Sequence, residues 1–255
     1  MKIFTTLLVS ALLVIAAASA EAKTGEDIIA AMHKKYDGKW YKTLTFAQTV
    51  TTYKPDGTSD VATWYEVLSL PGKLRIDIAP VENNNGVIYA DGKIFQFRDG
   101  KTAGGRPLVH PLLVIGFDVY MQPVETTVAQ LKSIGIDMAI VSETKWQDRD
   151  VYVVGAKAGD AKAPQFWVDK KDLLFRRLIQ LGGRDRKVLQ ETQFNKYEKS
   201  GGGWVAVEVK FFNDGKMTML EEYTDVRTNT KLDPQIWDPE KFTTVEKNYW
   251  QPGVR

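Results

Sequence analysis

A chain of 255 residues with 44% hydrophobic, 11% aromatic and 26% charged residues is long and apolar enough for one large core, which excludes disorder as its main state. Basic and acidic residues nearly balance, 34 against 32, so the net charge of +2 carries no basic excess of the kind that binds nucleic acid. Cysteine is absent, and stability therefore rests on the core and not on disulfides.

Lys2 is followed by "IFTTLLVSALLVIAAASA", an apolar run that closes on small residues at Ala18-Ser19-Ala20 or Ala20-Glu21-Ala22. This pattern predicts a secretory signal peptide over residues 1–22, because a membrane span needs roughly 20 firmly apolar residues with anchoring flanks. With no cysteine at the cut the signal is not of the lipoprotein kind, and the mature chain is expected to be soluble and periplasmic. Residues 23–255 are expected to form a single domain, since no linker, repeat or low-complexity tract divides them.

The first predicted element is a helix. Thr24 with Asp27 makes a capping-box-like start, Ile28, Ile29, Met32 and Tyr36 share one face, and Lys34 and Lys35 suit the last turn. Strands follow. Leu44, Phe46 and Val50 alternate with threonines through "YKTLTFAQTVTTY", and "KPDG" turns the chain into "DVATWYEVLSL". In "PGKLRIDIAP", Leu74, Ile76 and Ile78 point one way and Lys73, Arg75 and Asp77 the other. "NNNGVIYADGKIFQFRDGKTAGG" holds two apolar runs between Asn85-Gly86, Asp91-Gly92 and Asp99-Gly100, pairs that suit the positive φ angles of tight hairpin turns. Both faces of its second run are apolar.

From Pro107 to Gly135 strict alternation is lost. One helix is predicted around Leu112 to Met121 and another after Pro123, where Val124, Val128, Leu131 and Ile134 keep helical spacing. Strands then resume through "DMAIVSET", "RDVYVVGAK", "PQFWVDKK", "LLFRRLIQL", "RKVLQETQFNKYEK", "WVAVEVKFFNDGK" and "MTMLEEYTDVR". About ten to twelve strands thus stand against three helices, and a sheet so wide curls through its own twist. The expected fold is mainly β with a few helices (α+β): a curved antiparallel sheet forming an incomplete β-barrel closed by helices, with a lined hollow.

Little in the sequence suggests bond-making chemistry. His33 and His110 are far apart, with no orienting acid beside either, and neither cysteine nor a pair of carboxylates or histidines at ligand spacing offers a metal site. "GKTAGGRP" lacks the lysine and hydroxyl ending of a phosphate cradle and reads as a flexible connection. Glu221 beside Glu222 should point to opposite faces of a strand, and Asp148 and Asp150 flank a turn. Arg176, Arg177, Arg184, Arg186 and Lys187 form a basic run around a hairpin, either a solvated edge that discourages aggregation or a landing patch for anionic lipid headgroups. The expectation is a protein without catalytic residues, metal or cofactor.

"PGKLRIDIAP", "VIYADGKIFQFRDG", "PQFWVDKKDLLFRRL" and "YTDVRTNTKLDPQIWDPEKF" resemble, in order and spacing, the LolA-like periplasmic lipoprotein-sorting family over most of the mature chain. The resemblance implies an incomplete barrel with a helical lid whose cavity accepts acyl chains, handed on between inner- and outer-membrane transport partners. Members carry an arginine before the proline of the first of these strands, where it helps hold the lid closed. Leu70 stands there in this chain. The tail "TTVEKNYWQPGVR" past Phe242 suits the covering of a sheet edge.

Leu74, Ile76, Ile78, Phe95, Phe97, Phe166 and Val168, with Leu112, Leu113, Ile115 and Phe117 from the lid, each suit a packed core. As a set they suit a ligand cavity, because the helices are too few to fill a wide curved sheet and the resemblance points the same way. Met121, Met217 and Met219 would make such a pocket adaptable. The expected role is that of a monomeric carrier of lipoprotein or lipid acyl chains. The alternative is a module on the same fold that reads a protein partner or senses envelope stress.

Overall fold

The computed structural model describes residues 23–250, so the signal peptide expected over residues 1–22 lies outside the described residues. One antiparallel sheet of fourteen strands dominates it. The first run of strands is β1 (Thr43–Tyr53), β2 (Ser59–Ser69), β3 (Lys73–Ile78), β4 (Asn85–Ala90) and β5 (Lys93–Arg98), followed by the two-residue strands β6 (Lys101–Thr102) and β7 (Arg106–Pro107). The second is β8 (Val141–Trp146), β9 (Arg149–Val154), β10 (Gln165–Asp169), β11 (Phe175–Gly182), β12 (Val188–Ser200), β13 (Gly203–Asn213) and β14 (Lys216–Thr228). Apart from β7, which pairs with β5, each run is a meander of neighbours, and β1 joins them by pairing with both β2 and β14. Among the described strands β6 and β8 stand at opposite ends of the order, so the sheet does not close.

Helices α1 (Gly25–Tyr36), α2 (Pro111–Gly116) and α3 (Val124–Ser133) share one core with the inner face of the sheet. The predicted capping box is present at α1: Asp27 donates its amide N–H to the Thr24 hydroxyl at 3.2 Å, and its carboxylate accepts the Thr24 amide N–H at 2.8 Å. Ile28, Ile29, Met32 and Tyr36 are buried as their spacing requires. Beneath them Trp40 stacks on Tyr120 at 3.9 Å between ring centres, and Tyr36 meets both rings edge-on. The helix predicted over Leu112 to Met121 is shorter than expected. After α2 the backbone tightens at Phe117 into a single 3-10 turn, Asp118–Tyr120.

Two of the three predicted hairpin turns are present. Asp91-Gly92 and Asp99-Gly100 have positive φ at both residues, the signature of the tight turns that suit a twisted ribbon. Asn85-Gly86 is not a turn, because the chain reverses one residue earlier, at Asn84, and both residues belong to β4. Glycine is needed at 86 for closeness: a Cβ there would lie 2.1 Å from the Ile76 carbonyl oxygen and 2.9 Å from the Phe242 ring.

The outer face of β3, β4 and β5 is covered, not solvated. The chain after β14 returns across it, burying Ile236, Trp237, Phe242 and Tyr249 against Val67, Ile88, Ala90 and Phe97. Arg75 is fully buried there. Its guanidinium holds both carboxylate oxygens of Asp77, at 2.7 and 3.0 Å, and donates to the carbonyls of Ile236 and Phe242 at 2.9 and 3.1 Å, with the Phe242 ring 4.5 Å away. Asp77 also accepts from the Tyr249 hydroxyl and lies 3.4 Å from the Lys247 ammonium. As far as residue 250, the tail therefore lies over the outer sheet face and not over an edge.

Candidate functional site

A cavity of about 220 Å³ opens between α2 and the inner face of the sheet. Its apolar wall is Leu68 and Trp64 of β2, Leu74 and Ile76 of β3, Phe194 of β12, Val209 and Phe211 of β13 and Met219 of β14. Leu112 and Leu113 of α2, with Phe117, close the other side. Strand alternation explains the set: on each strand the lining residues are spaced by two, and α2 offers its sheet-facing side. A shallower depression of about 380 Å³ shares His110, Leu112, Phe211 and Met219 and continues outward past Thr52, Phe212 and Thr218.

Of the residues predicted from sequence, Leu74, Ile76, Leu112, Leu113 and Phe117 meet around this cavity, as does Met219. Six others do not. Phe95 and Phe97 point to the outer face, where Phe97 stacks on Phe242 at 3.8 Å between nearly parallel rings and Phe95 packs beside them; on β5 it is Ile94 that faces the core. The second apolar face of that strand exists because the tail covers it. Ile115, Phe166 and Val168 are fully buried in the core, and Ile78 is not among the lining residues.

The predicted basic run also divides. Arg176 is buried, over the Tyr197 ring at 4.4 Å and 3.4 Å from the Asp169 carboxylate. Arg177 makes a two-pronged bond to Glu191, both contacts 2.7 Å, above the Trp167 ring. These pairings tie β11 to its neighbours, with Arg176 buried and Arg177 only half-buried. Only Arg184, Arg186 and Lys187 are exposed, around the β11–β12 turn.

The polar members of the cavity wall are Glu66, His110, Glu221 and Tyr223. Burial holds the Glu66 carboxyl well above the usual carboxylate range, and the nearby Glu221 adds to the effect. Burial likewise pushes Glu221 up to about 7. Gln48 donates from Nε2 to Glu66 at 2.8 Å, and the Tyr223 hydroxyl donates to Glu221 at 3.3 Å. The partner of Glu221 is thus Glu66, two strands away across β1, and not Glu222. One signal in the sequence marks Glu66: it falls between Trp64 and Leu68 on the inward phase of β2. His110 caps α2 by accepting the Leu113 amide N–H at 3.2 Å on Nδ1, and its apolar surroundings push the imidazole down to about 4, leaving it neutral.

Asp118 ties the lid to the sheet. Its carboxylate accepts the Gly72 amide N–H at 3.0 Å, in the turn just past Leu70 and Pro71. The segment after α2 is thus bonded to the turn that follows Leu70.

No protein-family model matches the chain, and no curated protein matches it in sequence. Among the solved structures similar to it in fold are the following three. A DUF1329 family protein from Desulfovibrio piger superposes with a TM-score of 0.60 at 12% identity, over 86% of this chain and 97% of that one. A LolA superfamily protein from Nitrosomonas europaea gives 0.55 at 11%, over 85% and 98%. A structure described as a "putative outer membrane lipoprotein-sorting protein domain" from Vibrio parahaemolyticus gives 0.56 at 12%, over 84% and 97%. What they share with this chain is its architecture: an unclosed, curved antiparallel sheet with helices across its inner face, the LolA-like fold.

Proposed function

We propose that the protein is a periplasmic, non-enzymatic carrier that shelters an acyl chain of a lipid or lipoprotein in the cavity beneath α2. The observation that carries this is the cavity itself, walled by eleven apolar side chains, ten from six elements together with Phe117, and open on one side to an outer groove. At about 30 Å³ per water-sized group, 220 Å³ admits about seven methylenes. At roughly 0.8 kcal/mol each they supply about 6 kcal/mol, enough for a transient hold on part of one chain. A longer chain, or a second, requires α2 to move away from the sheet. Its six residues and the Asp118–Gly72 bond are a modest barrier to that movement. Release then needs an acceptor in the membrane that binds the chain better.

Native mass spectrometry of protein purified from an envelope fraction without detergent tests the proposal. The expected result is bound lipid or acylated polypeptide near one per protein, lost in Leu113→Trp, whose indole fills the cavity. An empty wild-type protein, still empty after incubation with lipids and lipoproteins, would overturn it.

A further inference from the structure

The cavity wall carries two carboxyls that an apolar container does not need. Glu66 and Glu221 are 8% and 7% exposed, and both line the hollow. They sit at mid-depth, between the half-exposed rim of Trp64 and Phe211 and the buried Leu68 and Leu113. Burying ionisable groups in such surroundings costs stability, and apolar residues of similar size would pack there without that cost. Between the two strands that carry them lies Gln48 of β1, only 1% exposed. Its amide reaches Glu66, while its own Oε1 has no hydrogen-bond partner. No lysine or arginine lines the cavity to neutralise the pair.

The two carboxyls therefore offer acceptors on one side of a mostly apolar hollow, each with lone pairs beyond the single bond it accepts from Gln48 or Tyr223, and Gln48, which is not among the lining residues, stands behind them with its own oxygen unpartnered. A primary ammonium has three N–H donors and one positive charge. Resting on the carrier reading above, we propose that Glu66 and Glu221, with Gln48 holding Glu66 from behind, form an end-group site that selects cargo whose acyl or alkyl chain ends in a primary ammonium. The ammonium would satisfy the buried acceptors and offset the buried charge while the chain lies along Leu68, Leu113 and Phe117. The raised carboxyl pKa values agree with this: in the empty cavity burial disfavours the charged forms, and a cation supplies what they lack.

The test is isothermal titration of the intact mature protein with four twelve-carbon probes: dodecylammonium, glycine dodecyl ester, dodecyltrimethylammonium and dodecanol. Wild type is expected to bind one of the primary ammonium probes at least about tenfold tighter than dodecyltrimethylammonium, which has the charge without donors, and than dodecanol. That preference should shrink to about threefold or less in Glu66→Gln/Glu221→Gln. Tighter binding of dodecylammonium assigns the source to an amino lipid, and tighter binding of the ester to the free amino end of an acylated peptide. Equal binding of all four probes by wild type would overturn the end-group site while sustaining the carrier proposal. Absence of binding by every probe would overturn both. The wild-type comparison decides even if the double variant fails to fold.

Discussion

Replacing Asp118 by asparagine separates two effects of one side chain. The carboxylate accepts the Gly72 amide N–H, and burial, with only 2% of the residue exposed, pushes its pKa from 3.8 up to about 7. In the unfolded chain it titrates near 3.8. Between these values the native state keeps a proton that the unfolded state has released. The resulting stabilisation is complete below pH 3.8, shrinks as the pH rises, and is gone above about 7. At about 1.4 kcal/mol per pH unit, roughly three units amount to about 4 kcal/mol. Asparagine has no proton to lose, and its side-chain oxygen can still accept from Gly72. The stability of Asp118→Asn relative to wild type should therefore rise by about 3 kcal/mol between pH 4.5 and 7.5. Glu66 and Glu221 titrate in both proteins and cancel in the difference. Urea unfolding followed by tryptophan fluorescence at four pH values supplies the two curves. A gap that does not change with pH would refute burial as the cause of the shift, and with it the description of the lid as seated over this carboxyl.

Other perturbations reach the outer face. Asp77→Ala leaves the Arg75 guanidinium buried without its carboxylate and removes the anchor of Lys247 and Tyr249, so it should cost about 3–5 kcal/mol in urea unfolding and speed proteolysis after Lys241 or Lys247. Unchanged stability would mean that the tail does not lie over β3. Gly86→Ala puts a methyl 2.1 Å from the Ile76 carbonyl and should destabilise by about 1–3 kcal/mol, as β4 or the Phe242 ring shifts. A neutral result in thermal unfolding would show that the two strands have room that their spacing denies.

Much of this fold is legible along the chain because its signals are local. The capping box at Thr24, the alternation of β3 and the Asp-Gly turns at 91 and 99 each depend on residues within a few positions of one another, and all take the predicted form. Five cavity residues were reachable in the same way, from the inward phase of β3 and the apolar run of α2. Phe95 and Phe97 were not. Alternation separates them from Ile94 but does not say which side is the core, and the answer depends on a tail some 145 residues later. The burial of Arg75 and Arg176 and the pairing of Arg177 were hidden for a related reason: a charge is covered when residues from other strands or the tail meet it, and those are set by strand order.

The sequence by itself determined most of the strands and helices, their antiparallel succession, and the two apolar faces of β5, since propensity, period and turn chemistry act over a few residues. Only the tertiary structure decided which face lines the hollow and which lies under the tail. It also brought Glu66, Gln48 and Glu221 together, because β1 pairs with β14 and so joins strands that stand 155 positions apart between the two glutamates.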